Sequence, residues 1–191
     1  MTVSDRISFT RVSLLVTVLA IGLGPLYSEP EYSWVRNSVS QLGAQSTKNS
    51  AIMVVGFLAL GMGLVVDTFR SRDLRRIPFG LFGLFFALAG CFPHEAWIEG
   101  RESSALIHRL HQVMANLSGL AITVGHLVAG TVASRKSAKF VSFSLAVSCV
   151  VLPLAMLKLP ELMGLLQRLM YGLTFLWLWK NPGVPSRELG H

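Results

Sequence analysis

The sequence predicts an all-α polytopic membrane protein, six transmembrane helices in one bundle. Three observations carry that prediction. Hydrophobic residues make up 52% of the 191 residues and charged residues only 14%, with a mean hydropathy of +0.55; a soluble domain carries about 25% charged residues. The apolar residues fall in runs of the length that a hydrocarbon core about 30 Å thick requires, roughly 17–25 helical residues. The basic residues sit in short clusters between those runs. That layout also removes the nucleic-acid reading that a net charge of +7 invites, because it marks membrane topology rather than a phosphate-binding face.

The first span is expected over 7–27, with Arg11 snorkelling to the near interface. A secretory leader is the rival reading, since Arg6 and Arg11 precede an apolar run. No A-x-A-like cleavage site follows, so the segment is read as a retained helix. Further spans are expected over 50–69, 77–92 and 110–133. The fifth covers 140–159, with Pro153 predicting a kink. The sixth covers 162–179 and carries Gln167 and Arg168 within it. The tail 181–191 has two prolines, little to bury, and reads as a short cytoplasmic extension. Cys91 and Cys149 lie inside apolar runs and read as buried small hydrophobes. Glycines at 56, 61, 63, 80, 83 and 90 predict close helix packing in lipid.

Orientation follows from Lys and Arg. With both termini cytoplasmic, most of the 17 basic residues lie inside, and the outside loops are close to neutral. The expected location is the cell (inner) membrane. Asp67 and Arg70 read as a pair at the inner surface. The inner loops are short and the outer ones longer, which places candidate sites at the outer mouth.

Polar and ionisable residues near lipid need a reason. In the first outer loop, Val35, Val39 and Leu42 follow i, i+4, i+7, while Arg36, Asn37, Ser40 and Gln41 fall on another face. This predicts a short interfacial helix, capped by Ser33 and ended by Gly43. Its polar face meets either water or a bundle mouth. His94 and Glu95 follow the third span, and His108 and His111 open the fourth at i, i+3. His94, His108 and His111 are a candidate metal set, since a hydrolytic zinc site needs three protein ligands. Interfacial hydrogen bonding is the alternative, because i, i+4 is the commoner ligand spacing. His126 lies five turns beyond His108 on a stripe with Ala115 and Gly119, which predicts that the stripe faces other helices. Arg168 stands about 10 Å from the outer end of the last span and requires a carboxylate, several carbonyls or a lipid phosphate. Glu161, Glu29 and Glu31 are the candidate acids.

The segment from Glu31 to Ala44, with its Tyr-Ser start and its Asn-x-x-Ser-x-Leu-Gly-Ala pattern at Asn37–Ala44, resembles the signature of the family called domain of unknown function 998. The likeness extends to Gly90-Cys91-Phe92-Pro93, to His108, and to a Gly-x-x-x-Arg-Leu element from Gly164 to Leu169. It covers about residues 10–180 and implies a six-helix membrane protein. Asn37-Ser38-Val39-Ser40 is also similar to a piece of the alkaline ceramidases, zinc-dependent amide hydrolases of the CREST group. This chain lacks their seventh span and late His-x-x-x-His pair. A short Ser-x-x-Gly loop element resembles the Frag1/DRAM/Sfk1-like family.

The expected role is binding of a lipid head group or small anion in an outward-facing polar pocket formed by Asn37, Ser40, Gln41, His108 and Arg168. A membrane-embedded, metal-dependent hydrolase acting on a lipid is the first alternative, and a structural partner subunit of a membrane complex the second. No cofactor is expected, save zinc under the hydrolase alternative. The expected partners are membrane lipids and a second copy or another membrane protein, and no nucleic acid.

Overall fold

The computed structural model describes residues 8–181. Seven α-helices follow in order: α1 (Phe9–Tyr27), α2 (Val39–Leu42), α3 (Ala51–Ser71), α4 (Ile77–Cys91), α5 (Ala105–Val132), α6 (Lys136–Lys158) and α7 (Met163–Lys180). Short 3₁₀ turns, Leu74–Arg76 and Pro160–Leu162, lead into α4 and α7. Apart from Asn181, the tail expected over 181–191 lies outside the described residues.

Five segments are long and apolar enough to cross a membrane: α1, α3, α4 with its leading turn, α5 and α6. α7 is not among them. It spans 18 residues, but Gln167, Arg168 and Lys180 dilute its apolar character. The six long helices follow one another around the bundle. α3 packs on α1 and α4, α4 on α5, α5 on α6 and α6 on α7, with α7 closing thinly against α1.

Small residues set the tightest crossing. A Cβ on Gly61 would meet Ala87 and the carbonyl of Gly83, and a Cβ on Gly83 would meet the carbonyl of Gly61. α3 and α4 therefore touch backbone to backbone, as small residues allow in lipid. Large apolar side chains fill the rest of the core, among them Met53, Leu60, Phe79, Phe82 and Phe86. Leu15, Leu19, Val147 and Leu154 are exposed, the lipid-facing side of a bundle with no water to avoid.

Where the start of α1 meets the end of α3, Asp67 does not pair with Arg70 as expected. Its carboxylate accepts from Ser8 Oγ (2.9 Å), Phe9 N (3.3 Å) and Thr10 N (2.8 Å), so it caps α1. Orphan N–H groups and a positive dipole end make that the better partner. Arg70 lies over the Phe9 ring instead, 5.0 Å from its centroid.

α5 starts at Ala105, five residues before the apolar run, because Ser104 Oγ accepts from Ile107 N and caps it there. The loop helix is shorter than expected. Its cap is Ser38, whose side chain accepts from Gln41 N while the Gln41 side chain accepts from Ser38 N, a complete capping box. Ser33 starts a separate turn, its Oγ accepting from Arg36 N at 3.4 Å. Gly43 ends the helix as expected.

Candidate functional site

The polar residues of the loop between α1 and α3 are largely spent on holding the loop itself. Asn37 Oδ1 accepts from Ser33 N (2.8 Å) and its Nδ2 donates to Gln41 Oε1 (3.2 Å). Tyr32 Oη donates to the Ser38 carbonyl at 2.9 Å. The loop is then fastened to α7. Val39 N donates to Gln167 Oε1 (2.6 Å), and Leu165 N donates to the Val35 carbonyl (3.0 Å). Gly164 permits this approach: a Cβ there would overlap the carbonyls of Asn37 and Trp34.

Arg168 is the centre of that fastening. Its Nη1 donates to the carbonyls of Trp34 (2.9 Å), Asn37 (3.1 Å) and Gly164 (3.1 Å), and its Nη2 to Tyr32 Oη (2.7 Å). The guanidinium also lies over the rings of Trp34 (4.9 Å) and Tyr32 (5.8 Å). Carbonyl dipoles and aromatic faces thus hold the charge. No described carboxylate makes an ion pair with it; Glu29 turns to Arg101 (3.3 Å) and Lys48 N (3.0 Å). Burial raises the Tyr32 phenol above its ordinary 10.0, and the neighbouring Arg168 charge opposes that rise.

The histidines gather separately, beside the loop between α4 and α5. The His94 ring meets those of His108 and His111 edge-on, with centroids 4.5 and 5.5 Å apart. Their Nδ1 atoms are engaged. His108 Nδ1 accepts from Glu95 N (3.1 Å), which leaves Nε2 to face Glu95 Oε1 at 3.4 Å. His111 Nδ1 donates to the carbonyls of Ala89 (2.9 Å) and Phe92 (2.8 Å), and His94 Nδ1 to that of Glu95 (2.9 Å). Burial holds His94 below 6.5, against the pull of the Glu95 carbonyl. Among the described residues no set of three or more His, Cys, Asp or Glu is placed to hold a metal ion.

Of the expected pocket residues, Asn37, Gln41 and Arg168 share one network, and Ser40 lies beside it on α2. His108 belongs to the histidine group. Trp97 Nε1, donating to the Gln41 carbonyl at 3.0 Å, ties the two loops together.

Below the first loop lies a cavity of about 420 Å³ between α4, α5, α6 and α7. Ser40, Asn116 and Gln167 line it towards the end nearest that loop, and Cys149 and Thr174 are seven or more residues deeper on α6 and α7. Leu120, Val150 and Leu154, which also line it, are exposed on the lipid side of the bundle. Ser40 Oγ, the Asn116 side chain and Gln167 Nε2 make no hydrogen bond to any described residue. A Cβ on Gly119 would meet only open space. Pro153 also lines this cavity from α6. Sequence reasoning did not assign Asn116, Gln167 or Gly119 to a site. A polar side chain in mid-span without an evident helix partner was the available signal.

The model of the family described as Protein of unknown function (DUF998) matches residues 11–179, and the chain belongs to that family. Nothing matches in the comparisons with curated proteins and with solved structures, and nothing supports the likenesses to alkaline ceramidases or Frag1/DRAM/Sfk1-like proteins.

Proposed function

We propose that this DUF998 protein is a lipid-binding integral membrane protein. One amphiphile enters from the bilayer between α5, α6 and α7, its chain lies in the cavity, and its polar group meets Ser40, Asn116 and Gln167. The observation that carries this reading is the conjunction of an apolar cavity, an edge of exposed Leu120, Val150 and Leu154, and three polar side chains with bonding capacity left at its outer end. Those groups are neutral and include N–H and O–H donors, so they suit an ester, amide or phosphate oxygen. Arg168, Asn37 and Gln41 position the loop that carries Ser40.

In this reading α7 is the sixth span. Its arginine is tolerated because carbonyls and rings replace the water it loses. Both termini face the cytoplasm of a cell membrane, and the loop end faces out, in keeping with the placement of Lys and Arg. Reporter fusions at His191 and near Gly100 are expected on opposite sides; the same side for both would end the topology.

Gly119 provides the test of the cavity. Gly119→Phe fills open space, so the fold should keep its melting temperature while lipid retained through purification, read by native mass spectrometry, drops. Gly119→Ala leaves most of the volume, retains lipid, and stabilises the helix by about 1 kcal/mol. Undiminished lipid in Gly119→Phe would refute the assignment.

A further inference from the structure

A second groove lies at the opposite end of the molecule, outside the site described above. It has a volume of about 590 Å³ and runs between the last turns of α3 and the first turns of α4. Its walls are Phe69, Leu74, Ile77, Leu81 and Leu84, and its base is the Thr68–Gly80 contact, where a Cβ on Gly80 would already touch Thr68. Phe69 and Leu74 are each 79% exposed, so the groove opens sideways into lipid.

Arg72 and Asp73 line the mouth of the groove. Four arginines, Arg70, Arg72, Arg75 and Arg76, fall within seven residues of chain, and Arg70 turns to the Phe9 ring. The two nearby acids are already engaged. Asp67 caps α1, and Asp73 binds Arg75 at 2.8 Å, which holds its carboxyl below the usual 3.8. Arg72 lines the groove and makes no hydrogen bond or ion pair to any described residue. It also occupies the left-handed C-cap of α3, with φ +52°, a position where glycine is the default.

We infer that this groove is a binding site for one anionic phospholipid, with an acyl chain between α3 and α4 and the phosphate at Arg72. Charge complementarity selects the occupant. A zwitterionic head group adds its own cation at the mouth, whereas an anionic one meets an uncompensated arginine. A backbone held left-handed at a non-glycine residue is also consistent with a side chain placed for a ligand. The inference does not depend on which compartment this end faces.

The test uses the full chain, delipidated in a neutral detergent and titrated with phosphatidylglycerol or phosphatidylcholine under native mass spectrometry. Phosphatidylglycerol should bind more tightly by about fivefold, the factor that corresponds to about 1 kcal/mol per basic residue at an anionic surface. Arg72→Gly relieves the left-handed position, so it should melt no lower than the parent, yet its preference should vanish. Leu81→Trp fills the groove and should weaken this site while Gly119→Phe leaves it unchanged. The inference is overturned if the parent has no preference, if Arg72→Gly keeps it, or if inorganic phosphate competes as well as the lipid. A dimer that Leu81→Trp dissolves would assign the groove to a second copy and overturn it equally.

Discussion

Gly164→Ala adds one methyl group to α7, and the surroundings make it the most informative single change in the molecule. In an unconstrained helix the substitution stabilises by about 1 kcal/mol. Here the new Cβ overlaps the carbonyl oxygens of Asn37 and Trp34. Backbone cannot rotate away as a side chain can, so overpacking sits near the upper end of its usual range, about 3 kcal/mol. If the loop retreats instead, Arg168 loses its contacts to those same two carbonyls, at about 1.5–3 kcal/mol for each bond to a charged group. Either route leaves a net loss of about 2–5 kcal/mol. Gly172→Ala on the same helix meets open space and should gain about 1 kcal/mol, which controls for propensity. Reversible unfolding of the three proteins in mixed micelles measures both. A Gly164→Ala protein within about 0.5 kcal/mol of the parent, the scatter of an ordinary surface change, would refute the loop–α7 fastening.

Two further outcomes follow from the same network and its neighbour. Arg168→Leu should destabilise by about 2–4 kcal/mol through orphaned carbonyls, whereas Glu161→Gln should fall within about 0.5 kcal/mol; equal losses in thermal melts would restore the carboxylate partner. Burial keeps His94 below 6.5, so the unfolded chain binds a proton that the folded one refuses. Stability of the loop around His94 should therefore fall as pH drops below 6.5, and His94→Gln should flatten that slope in melts recorded across the window; an unchanged slope assigns the pH response elsewhere.

The helices were legible because lipid imposes a length and a composition on each span, and both are written in one dimension. The start of α5 was not, since residues 105–109 are helical without belonging to an apolar run. The loop motif showed its polar face but not that face's use. Arg168 finds its partners 131 and 134 residues away, and they are backbone carbonyls, which every residue carries and no sequence pattern marks. Gly164 and Arg168 were visible as an element of the family signature; the close approach that requires the glycine is a property of three dimensions. The cavity was hidden for a related reason, since a void is the space between side chains of four helices. Asn116 lies within an apolar span, and nothing in the sequence marks the void it faces. Asp67 shows the limit of nearest-neighbour reasoning: an arginine three residues away lost to a helix N-terminus 57 residues away.

The manner in which α7 is held bears on how the chain is made. Its helix–helix contacts are the thinnest among the six long helices, and its half-buried arginine is held by carbonyls of a loop that is synthesised long before it. In the proposed topology α7 enters the bilayer last, and the carbonyls that receive its arginine lie on the loop after the first span. Assembly is thereby made conditional: a chain whose opening loop is misfolded cannot seat its closing helix. In that topology such a chain would leave the Arg168 guanidinium without its carbonyl partners. The seat of the last helix is thus built by an early stretch of the polypeptide.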